Sequence, residues 1–203
     1  MFELLIGTTN RGKLAEYEAL LKSLPVRLRS VRDVGLDTLD VEENADTYEE
    51  NAVHKARVYA QASGLYALAD DTGLIIDALD GRPGIYSHRY AGPDADDRAR
   101  YEKVLAEMDG VPDAQRTARF VCVVALVNPQ TLESVTTTGT VEGRIARTPD
   151  LSGGGFGYDA VFLPNGYSTA LSALSMDEKN QISHRGNALR QMLPILERLI
   201  EEQ

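Results

Sequence analysis

The N-terminal third of the chain alternates between strand-like and helix-like patterns. Short apolar runs at Phe2–Ile6 and residues 26–31 are typical of strands, and apolar residues at helical spacing occupy positions 14–24 between them. Residues 47–50 (Thr-Tyr-Glu-Glu) form a capping box, so a second helix should begin there and end near residues 63–64. The pattern predicts the order strand, helix, strand, helix.

The second half of the chain combines long strand-like runs with two further helices. Apolar residues at helical spacing follow Asp94, which we expect to cap that helix. Thr117–Val127 and residues 132–145 are strand-like and are joined through an Asn-Pro pair, which predicts an extended hairpin. The last helix has apolar positions over residues 189–200, and Pro194 should kink or restart it.

Two adjacent carboxylates stand between two apolar runs near the middle of the chain. Asp70 and Asp71 separate residues 65–69 from residues 74–76, and runs of this kind fit buried strands. Charges between buried runs are costly unless they are paired or bind a cation, and neighbouring strand residues point to opposite faces. The segment therefore indicates a divalent-metal and general-base site, with a strand-end turn as the alternative.

Composition and charge restrict the class of protein. The chain has 203 residues, 43% of them hydrophobic, so we expect one domain over residues 1–203. Its formal net charge is -10, and because such a chain repels a phosphate backbone we expect no nucleic-acid partner. Cys122 is the single cysteine and should be a buried, inert thiol. Neither a signal peptide nor a membrane-spanning run is visible, which predicts a cytoplasmic protein without a membrane partner.

The first loop has the composition of an anion-binding loop. Residues 7–13 lie between a predicted strand and a predicted helix, a geometry that presents backbone N–H groups to phosphate. The spacing Gly7 to Gly12-Lys13 resembles a P-loop, but Leu14 stands where that loop needs a hydroxyl for Mg²⁺. An ordinary strand-to-helix turn is the alternative.

Several polar positions have an unremarkable interpretation when each is taken alone. Residues 33–46 are acidic around Glu42-Glu43, and such a run is by default a solvated loop. Asn51 and Lys55 are four residues apart and could flank a ligand, although a solvated polar face is more common. His184-Arg185 taken alone would be a solvated helix start.

Residues 152–159 have the most unusual composition in the chain. Four glycines surround Phe156, which leaves the backbone open for close approach and one aromatic ring available for stacking on a base. A flexible linker is the alternative, but linkers seldom hold Phe, Tyr and Asp at this density. The composition favours a binding loop.

Taken together, these segments resemble the inosine triphosphate pyrophosphatase family, hydrolases that remove deaminated purine triphosphates. Thr9 and Thr72 stand where the family commonly has Gly and Ser. The matching motifs, in chain order, are Thr8-Thr9-Asn10-Arg11-Gly12-Lys13 with Glu16, Glu50-Asn51-Ala52 with Lys55-Ala56, Ala69-Asp70-Asp71-Thr72-Gly73-Leu74, Pro83-Gly84-Ile85-Tyr86-Ser87, Gly154-Gly155-Phe156-Gly157-Tyr158-Asp159, Lys179, and Ser183-His184-Arg185-Gly186.

The resemblance implies a fold, a reaction and an assembly. The fold would be an elongated, two-lobed α/β structure, with a long mixed β-sheet flooring a central cleft and helices on both sides. The reaction would be Mg²⁺-dependent hydrolysis of ITP, dITP and XTP to the nucleoside monophosphate and pyrophosphate. The assembly would be a homodimer.

The resemblance also implies roles for individual residues. Asp71 would be the general base and, with Glu42, a metal ligand, while Asp70 and Asn51 would support the site. Substrate binding would fall to Thr8, Thr9, Asn10, Arg11, Gly12, Lys13, Lys55 and Thr72, and at the nucleoside end to Phe156, Gly157, Tyr158, Asp159, Lys179, His184 and Arg185.

Two other classes of protein are alternatives. A P-loop-like ATPase or nucleotide kinase would use residues 7–13 for phosphate and Asp70 or Asp71 for metal, but Leu14 speaks against it. A nucleotide-binding regulatory module would bind without multiple turnover. The reaction products distinguish the three classes.

Overall fold

The computed structural model describes residues 1–202, and the described chain contains seven strands and five α-helices. The strands are β1 (Phe2–Ile6), β2 (Val26–Ser30), β3 (Tyr66–Ile76), β4 (Pro83–Gly84), β5 (Thr117–Val127), β6 (Ser134–Ile145) and β7 (Phe162–Pro164). The helices are α1 (Arg11–Leu21), α2 (Tyr48–Ser63), α3 (Asp97–Glu107), α4 (Met176–Ile182) and α5 (His184–Glu201).

The strands form one mixed sheet in the order β2-β1-β3-β5-β6-β7, with β4 paired to β3. β1 is parallel to both β2 and β3, whereas β4 is antiparallel to β3 and β7 is antiparallel to β6. The predicted α/β class and mixed sheet are confirmed. Within residues 1–202, no helix is both long enough and apolar enough to cross a membrane.

The chain divides into two compact units, and the first has helices on both faces of its strands. Unit 1 comprises Met1–Asp71, Cys122–Gly139 and the chain from Arg185 onward. Side chains alternate between the two faces of a strand, so Leu4 and Ile6 of β1 pack with α1 and α5, while Leu5 packs with α2. Unit 1 is therefore a three-layer structure.

Unit 2 comprises Thr72–Val121 and Thr140–His184 and has a core of its own. Its core includes apolar residues from the second half of β3, from α3 and from the first half of β5, together with residues of β6 and β7. Buried Arg116 donates to the carbonyls of Met108, Ile145 and Ala146, which ties the end of α3 to the end of β6. Three carbonyl acceptors compensate for the burial of this guanidinium.

The alternative given for the carboxylate pair and the predicted cap of α3 were both wrong. β3 runs without interruption through Asp70 and Asp71, so the segment is not a strand-end turn. The cap of α3 is Asp96 rather than Asp94, because Asp96 Oδ1 accepts a hydrogen bond of 2.7 Å from the Ala99 N–H. The predicted cap of α2 is confirmed, since the Thr47 side chain accepts from the Glu50 N–H.

Two boundaries in the second half of the chain also differ from the prediction. β6 begins at Ser134 because Leu132 has φ of 59° within the preceding turn. α5 begins at His184 and continues through Pro194, so the helix does not restart there. Burial of Leu189 and Met192 in the core of unit 1 offsets the cost of an internal proline, which is about 3 kcal/mol.

Candidate functional site

The first loop of unit 1 joins β1 to α1 in the predicted geometry. Asn10 caps α1, and its Oδ1 accepts from the Lys13 N–H at 3.0 Å. The Thr8 hydroxyl accepts from the Asn10 N–H at 3.2 Å, which stabilises the turn before the cap. A Cβ added to Gly7 would lie 2.6 Å from Cδ2 of Tyr59, so the loop needs a glycine where it passes α2. The first turn of α1 therefore offers its N–H groups at the end of a buried strand.

Asp70 is the centre of a buried charge network in unit 1. Its side chain is 1% exposed and accepts from Lys13 Nζ at 2.8 Å, Tyr17 Oη at 3.1 Å and Arg185 at 3.0 Å. The Cys122 thiol lies 3.8 Å from the same carboxylate, so this buried cysteine borders the network. Burial alone would raise the pKa of Asp70, but Arg185 and Lys13 outweigh it and hold that pKa well below its usual value.

Arg185 links Asp70 to a second buried carboxylate. Its guanidinium also donates to Glu16 of α1, and both side chains are 1% exposed. Burial would lower the pKa of Arg185, whereas Asp70 and Glu16 raise it well above its ordinary value. Arg185 stays charged between two carboxylates. The interpretation of this position alone as a solvated helix start is wrong, because the fold buries it.

Asp71 lies on the other face of β3 and has different surroundings. Asn51 Nδ2 donates to its carboxylate at 3.0 Å, and both residues are buried. Asn51 Oδ1 in turn accepts from the Ala45 N–H at 3.0 Å, which fixes the orientation of the amide. Burial and the nearby Asp71 raise the pKa of Tyr48 to about 12. Asn51, which was predicted to support the site, thus contacts the candidate base directly.

Lys55 approaches the carboxylate pair from the same helix as Asn51. Its ammonium donates to the backbone carbonyl of Asp70 at 2.9 Å and forms an ion pair with Glu43. Burial, with a smaller contribution from Lys13, lowers the pKa of Lys55 to about 8. The interpretation of Asn51 and Lys55 as a solvated face is wrong, because both side chains face the end of unit 1 that holds the carboxylates.

Glu42 lies in the loop before α2 and accepts from Asn44 Nδ2 at 2.7 Å. With Asn51 it lines a cavity of about 670 Å³ in unit 1. Within residues 1–202, no group of three or more His, Cys, Asp or Glu side chains is arranged to hold a metal ion. Mg²⁺ typically takes one or two protein carboxylates together with substrate phosphates, and Glu42 and Asp71 supply two. The donor set fits such an ion, and the ligand roles stay predictions.

In unit 2, the glycine-rich segment is an ordered loop held by Asp159. The Asp159 carboxylate accepts from the Phe156 N–H at 2.9 Å and from Lys179 Nζ at 2.6 Å. The Lys179 ammonium also lies 4.7 Å from the centre of the Phe156 ring, a cation–π contact. Asp159 and Lys179 are both buried, so the loop rests on a buried ion pair.

Tyr158 and Ser87 connect this loop to the second half of β3. Buried Tyr158 donates from its hydroxyl to the Ser87 carbonyl at 2.8 Å. The Ser87 hydroxyl accepts from the Leu74 N–H at 2.9 Å, two residues beyond Thr72 in β3. Burial raises the pKa of Tyr158, which keeps this hydroxyl protonated and able to donate. Three segments of unit 2 that carry predicted motifs are therefore joined by hydrogen bonds.

His184 is buried in unit 2 rather than solvated at a helix start. Its ring stacks on Phe120, with 4.6 Å between ring centres and 17° between planes. The stack restricts the rotation of the imidazole. The predicted role of His184 at the nucleoside end requires a ring of defined orientation, and this contact supplies one.

The sequence model that describes the Ham1 family matches residues 4–195 of this chain. The chain belongs to the Ham1 family. It is 45% identical over 192 residues to the dITP/XTP pyrophosphatase of Halalkalibacterium halodurans, covering 95% of this chain and 97% of that protein. These matches confirm the family predicted from the motifs.

Solved structures of Ham1 proteins are similar to this chain over nearly its full length. A HAM1 protein from Coxiella burnetii has a TM-score of 0.84 at 41% identity, covering 97% of this chain and 98% of that one. A nucleoside-triphosphatase / dITP/XTP pyrophosphatase from Mycobacterium abscessus has a TM-score of 0.72 at 41% identity, covering 95% and 100%. The α/β fold is therefore that of the Ham1 proteins.

Sequence reasoning missed the contacts of four residues of this Ham1 chain. Tyr17 and Cys122 contact Asp70, Ser87 contacts both β3 and Tyr158, and Asp97 accepts from the Gly157 N–H at 2.7 Å. The sequence pattern places Tyr17 on an apolar helix face and Cys122 in an apolar, strand-like run. Their polar atoms could have been suspected, because buried polar groups need partners and Asp70 offered one.

Proposed function

We propose that this Ham1 protein is a Mg²⁺-dependent pyrophosphatase of non-canonical purine nucleoside triphosphates such as ITP, dITP and XTP. The products would be the nucleoside monophosphate and pyrophosphate. The observation that carries the proposal is the division of β3: Asp70 is ion-paired on one face, and Asp71 is oriented by an amide on the other. The activity named for similar dITP/XTP pyrophosphatases supports the choice of reaction.

The residues of unit 1 are suited to the triphosphate. Lys13 and Lys55 bring two cations to the carboxylate pair of an otherwise acidic protein, and the α1 N-terminus adds backbone N–H groups. Phosphoryl transfer depends mainly on positioning and on neutralisation of charge. We assign phosphate binding to Thr8, Thr9, Asn10, Arg11, Gly12, Lys13 and Lys55.

Asp71 is the proposed general base. A water oxygen would form a bond to the α-phosphorus while the bond from that phosphorus to the bridging oxygen breaks and pyrophosphate leaves. The proton of the water would pass to the Asp71 carboxylate, which the Asn51 amide holds in orientation. When bound, Mg²⁺ would neutralise phosphate charge, with Glu42 and Asp71 as its protein ligands.

The residues of unit 2 are suited to the nucleoside. The Phe156 ring offers a stacking surface, and Lys179 and Asp159 hold the loop that carries it. Thr72, Gly157, Tyr158 and His184 complete the set that we assign to substrate binding there. A 6-keto purine presents an acceptor at O6 and a donor at N1, whereas adenine presents the reverse. Donors facing O6 would therefore reject adenine.

A panel of nucleotides with product identification tests the proposal. ITP, dITP, XTP, ATP and GTP are incubated with the protein and Mg²⁺ in ¹⁸O-labelled water, with Asp71→Asn as the control for contaminating activity. We expect pyrophosphate and a labelled monophosphate from the first three, because attack at the α-phosphorus places the water oxygen there. Orthophosphate with a nucleoside diphosphate, or label in pyrophosphate, would refute this reaction. The homodimer and the cytoplasmic location stay predictions.

A further inference from the structure

Asp97 connects α3 to the glycine-rich loop of unit 2. As the first residue of α3, it accepts from the Gly157 N–H through Oδ2 at 2.7 Å. Its other oxygen, Oδ1, accepts from Arg100 at 2.8 Å one turn later in the helix. The Asp97 side chain is 43% exposed and the Arg100 side chain 12%. The carboxylate is thus fixed on one side by the helix and on the other by the loop.

The loop has an unusual backbone at this point. Gly155 and Gly157 have φ of 100° and 64°, a region that other residues rarely adopt. Between them, the Phe156 N–H donates to Asp159 Oδ2 at 2.9 Å. Two consecutive N–H groups therefore donate to two carboxylates, one from within the loop and one from α3. Together these bonds define the backbone on both sides of the Phe156 ring.

We propose that Asp97 is a positioning residue for nucleoside binding, acting through Gly157 on the Phe156 ring. This inference rests on the proposed function, in which that ring stacks on the purine. Loss of the Gly157 contact would free one side of the loop, while the Asp159 contact on the other side remains. Substrate would then have to order the loop on binding, so affinity for the nucleoside end falls and affinity for phosphate does not.

The informative variant is Asp97→Asn, with Asp96→Asn as its matched control. An amide has one acceptor oxygen, so Asn at position 97 cannot accept from both Gly157 and Arg100 without turning its NH₂ group toward a donor. Asp96 is the adjacent exposed carboxylate and caps α3, and Asn is an equally good cap. Both variants lose one negative charge at nearly the same place. Only Asp97→Asn disturbs the carboxylate that joins α3 to the loop.

Two inhibition constants report separately on binding at the nucleoside end and at the phosphate end of the substrate. Inosine monophosphate probes the nucleoside end and pyrophosphate probes the phosphate end, each measured as a competitive inhibitor of dITP hydrolysis. For Asp97→Asn we expect the Ki of inosine monophosphate to rise roughly 2- to 13-fold, the range for one hydrogen bond. The Ki of pyrophosphate and the melting temperature should match those of the parent, as should every value for Asp96→Asn.

A second measurement is independent of activity. Hydrogen–deuterium exchange of the unliganded protein should be faster in Asp97→Asn for peptides covering residues 153–158, and unchanged in Asp96→Asn. If Asp97→Asn does not fold, Asp97→Ser replaces it, with the same expected results. If neither variant folds, Asp97 has a purely structural role and the inference is overturned.

The results distinguish this inference from the proposed function. If the parent hydrolyses no nucleoside triphosphate, the proposed function fails, whatever the exchange data show. If the parent is active, an unchanged Ki of inosine monophosphate in Asp97→Asn overturns the inference. The inference is also overturned if the Ki of pyrophosphate rises in Asp97→Asn as much as that of inosine monophosphate. Hydrogen–deuterium exchange of the loop that is unchanged in this variant overturns it as well.

Discussion

Replacing Arg185 by Met tests the buried charge network of unit 1. Met preserves much of the length and apolar volume of the side chain but removes the guanidinium that lies between Glu16 and Asp70. Both carboxylates are 1% exposed, so water does not replace the lost donor without rearrangement of the fold. We expect the variant to be strongly destabilised.

The magnitude follows from the burial of the ion pairs. Removing one partner of a buried pair costs ~3–5 kcal/mol, because the remaining charge stays in a medium that solvates it poorly. Asp70 retains Lys13 at 2.8 Å, which places the expected loss near the lower end of that range. For a chain of this size, ~3 kcal/mol corresponds to a fall in melting temperature of ~6–12 °C.

The pH dependence of the loss has a defined sign. Asp70 has a pKa lowered in the folded state, so its stabilising contribution is present above the unfolded value of about 3.8 and is lost as pH falls through the folded value. The difference in unfolding free energy between parent and Arg185→Met should therefore be largest near neutral pH. It should shrink in acid, because Asp70 without Arg185 binds a proton more readily in the folded variant, whereas the two unfolded chains bind protons at Asp70 alike.

Urea unfolding followed by far-UV circular dichroism measures this loss, since the chain has no tryptophan. Arg198→Met is the matched control, because Arg198 is exposed on the same helix and should change stability by less than ~0.5 kcal/mol. A loss below ~1 kcal/mol in Arg185→Met, or equal losses in both variants, would refute the network argument. The same variant tests the predicted role of Arg185 in base recognition. If Arg185 recognises the base, the ratio of kcat/KM for ITP to kcat/KM for ATP should be smaller in Arg185→Met than in the parent.

Three further predictions concern the proposed chemistry. Asp71→Asn should lower kcat by roughly 10²–10⁴ while the protein stays folded, and a kcat within a few-fold of the parent at saturating Mg²⁺ would remove Asp71 as the base. Glu42→Gln should raise the Mg²⁺ concentration for half-maximal activity, and Glu43→Gln should do so much less; equal small effects would remove Glu42 as a metal ligand. Lys55, with its pKa lowered to about 8, loses its charge as pH rises through that value, so the Ki of pyrophosphate should rise there. Lys55→Arg should flatten that rise, because guanidinium stays charged.

Local patterns in the sequence predicted the elements that depend on local chemistry. The cap at Thr47, the loop capped by Asn10 before α1, and the paired run of β5 with β6 all rest on residues close together in the chain. The order of several weak motifs then identified the family. Contacts between distant positions could not be found in this way. Glu16 and Arg185 are 169 positions apart, and no periodicity links them.

Burial was the property that sequence reasoning judged least well. Asn51 and Lys55 form a polar stripe on α2, which in most helices faces solvent. Here the stripe meets the end of β3, where Asp71 accepts from Asn51 and the Asp70 carbonyl accepts from Lys55. A polar stripe on a helix whose neighbouring buried face is rich in alanine can therefore lie against a site rather than against water.

The two adjacent carboxylates of β3 are chemically distinct because a strand turns them to opposite faces. Asp70 accepts from Lys13 and Arg185, and these cations lower its pKa. Asp70 therefore holds the two cations in place but is a poor acceptor of a proton. Asp71 accepts from the neutral amide of Asn51, which orients this carboxylate. A shift of one residue in the register of β3 would exchange these surroundings. The parallel pairing of β1 with β3, which places Leu4 opposite Tyr66, thus decides which aspartate is the candidate base.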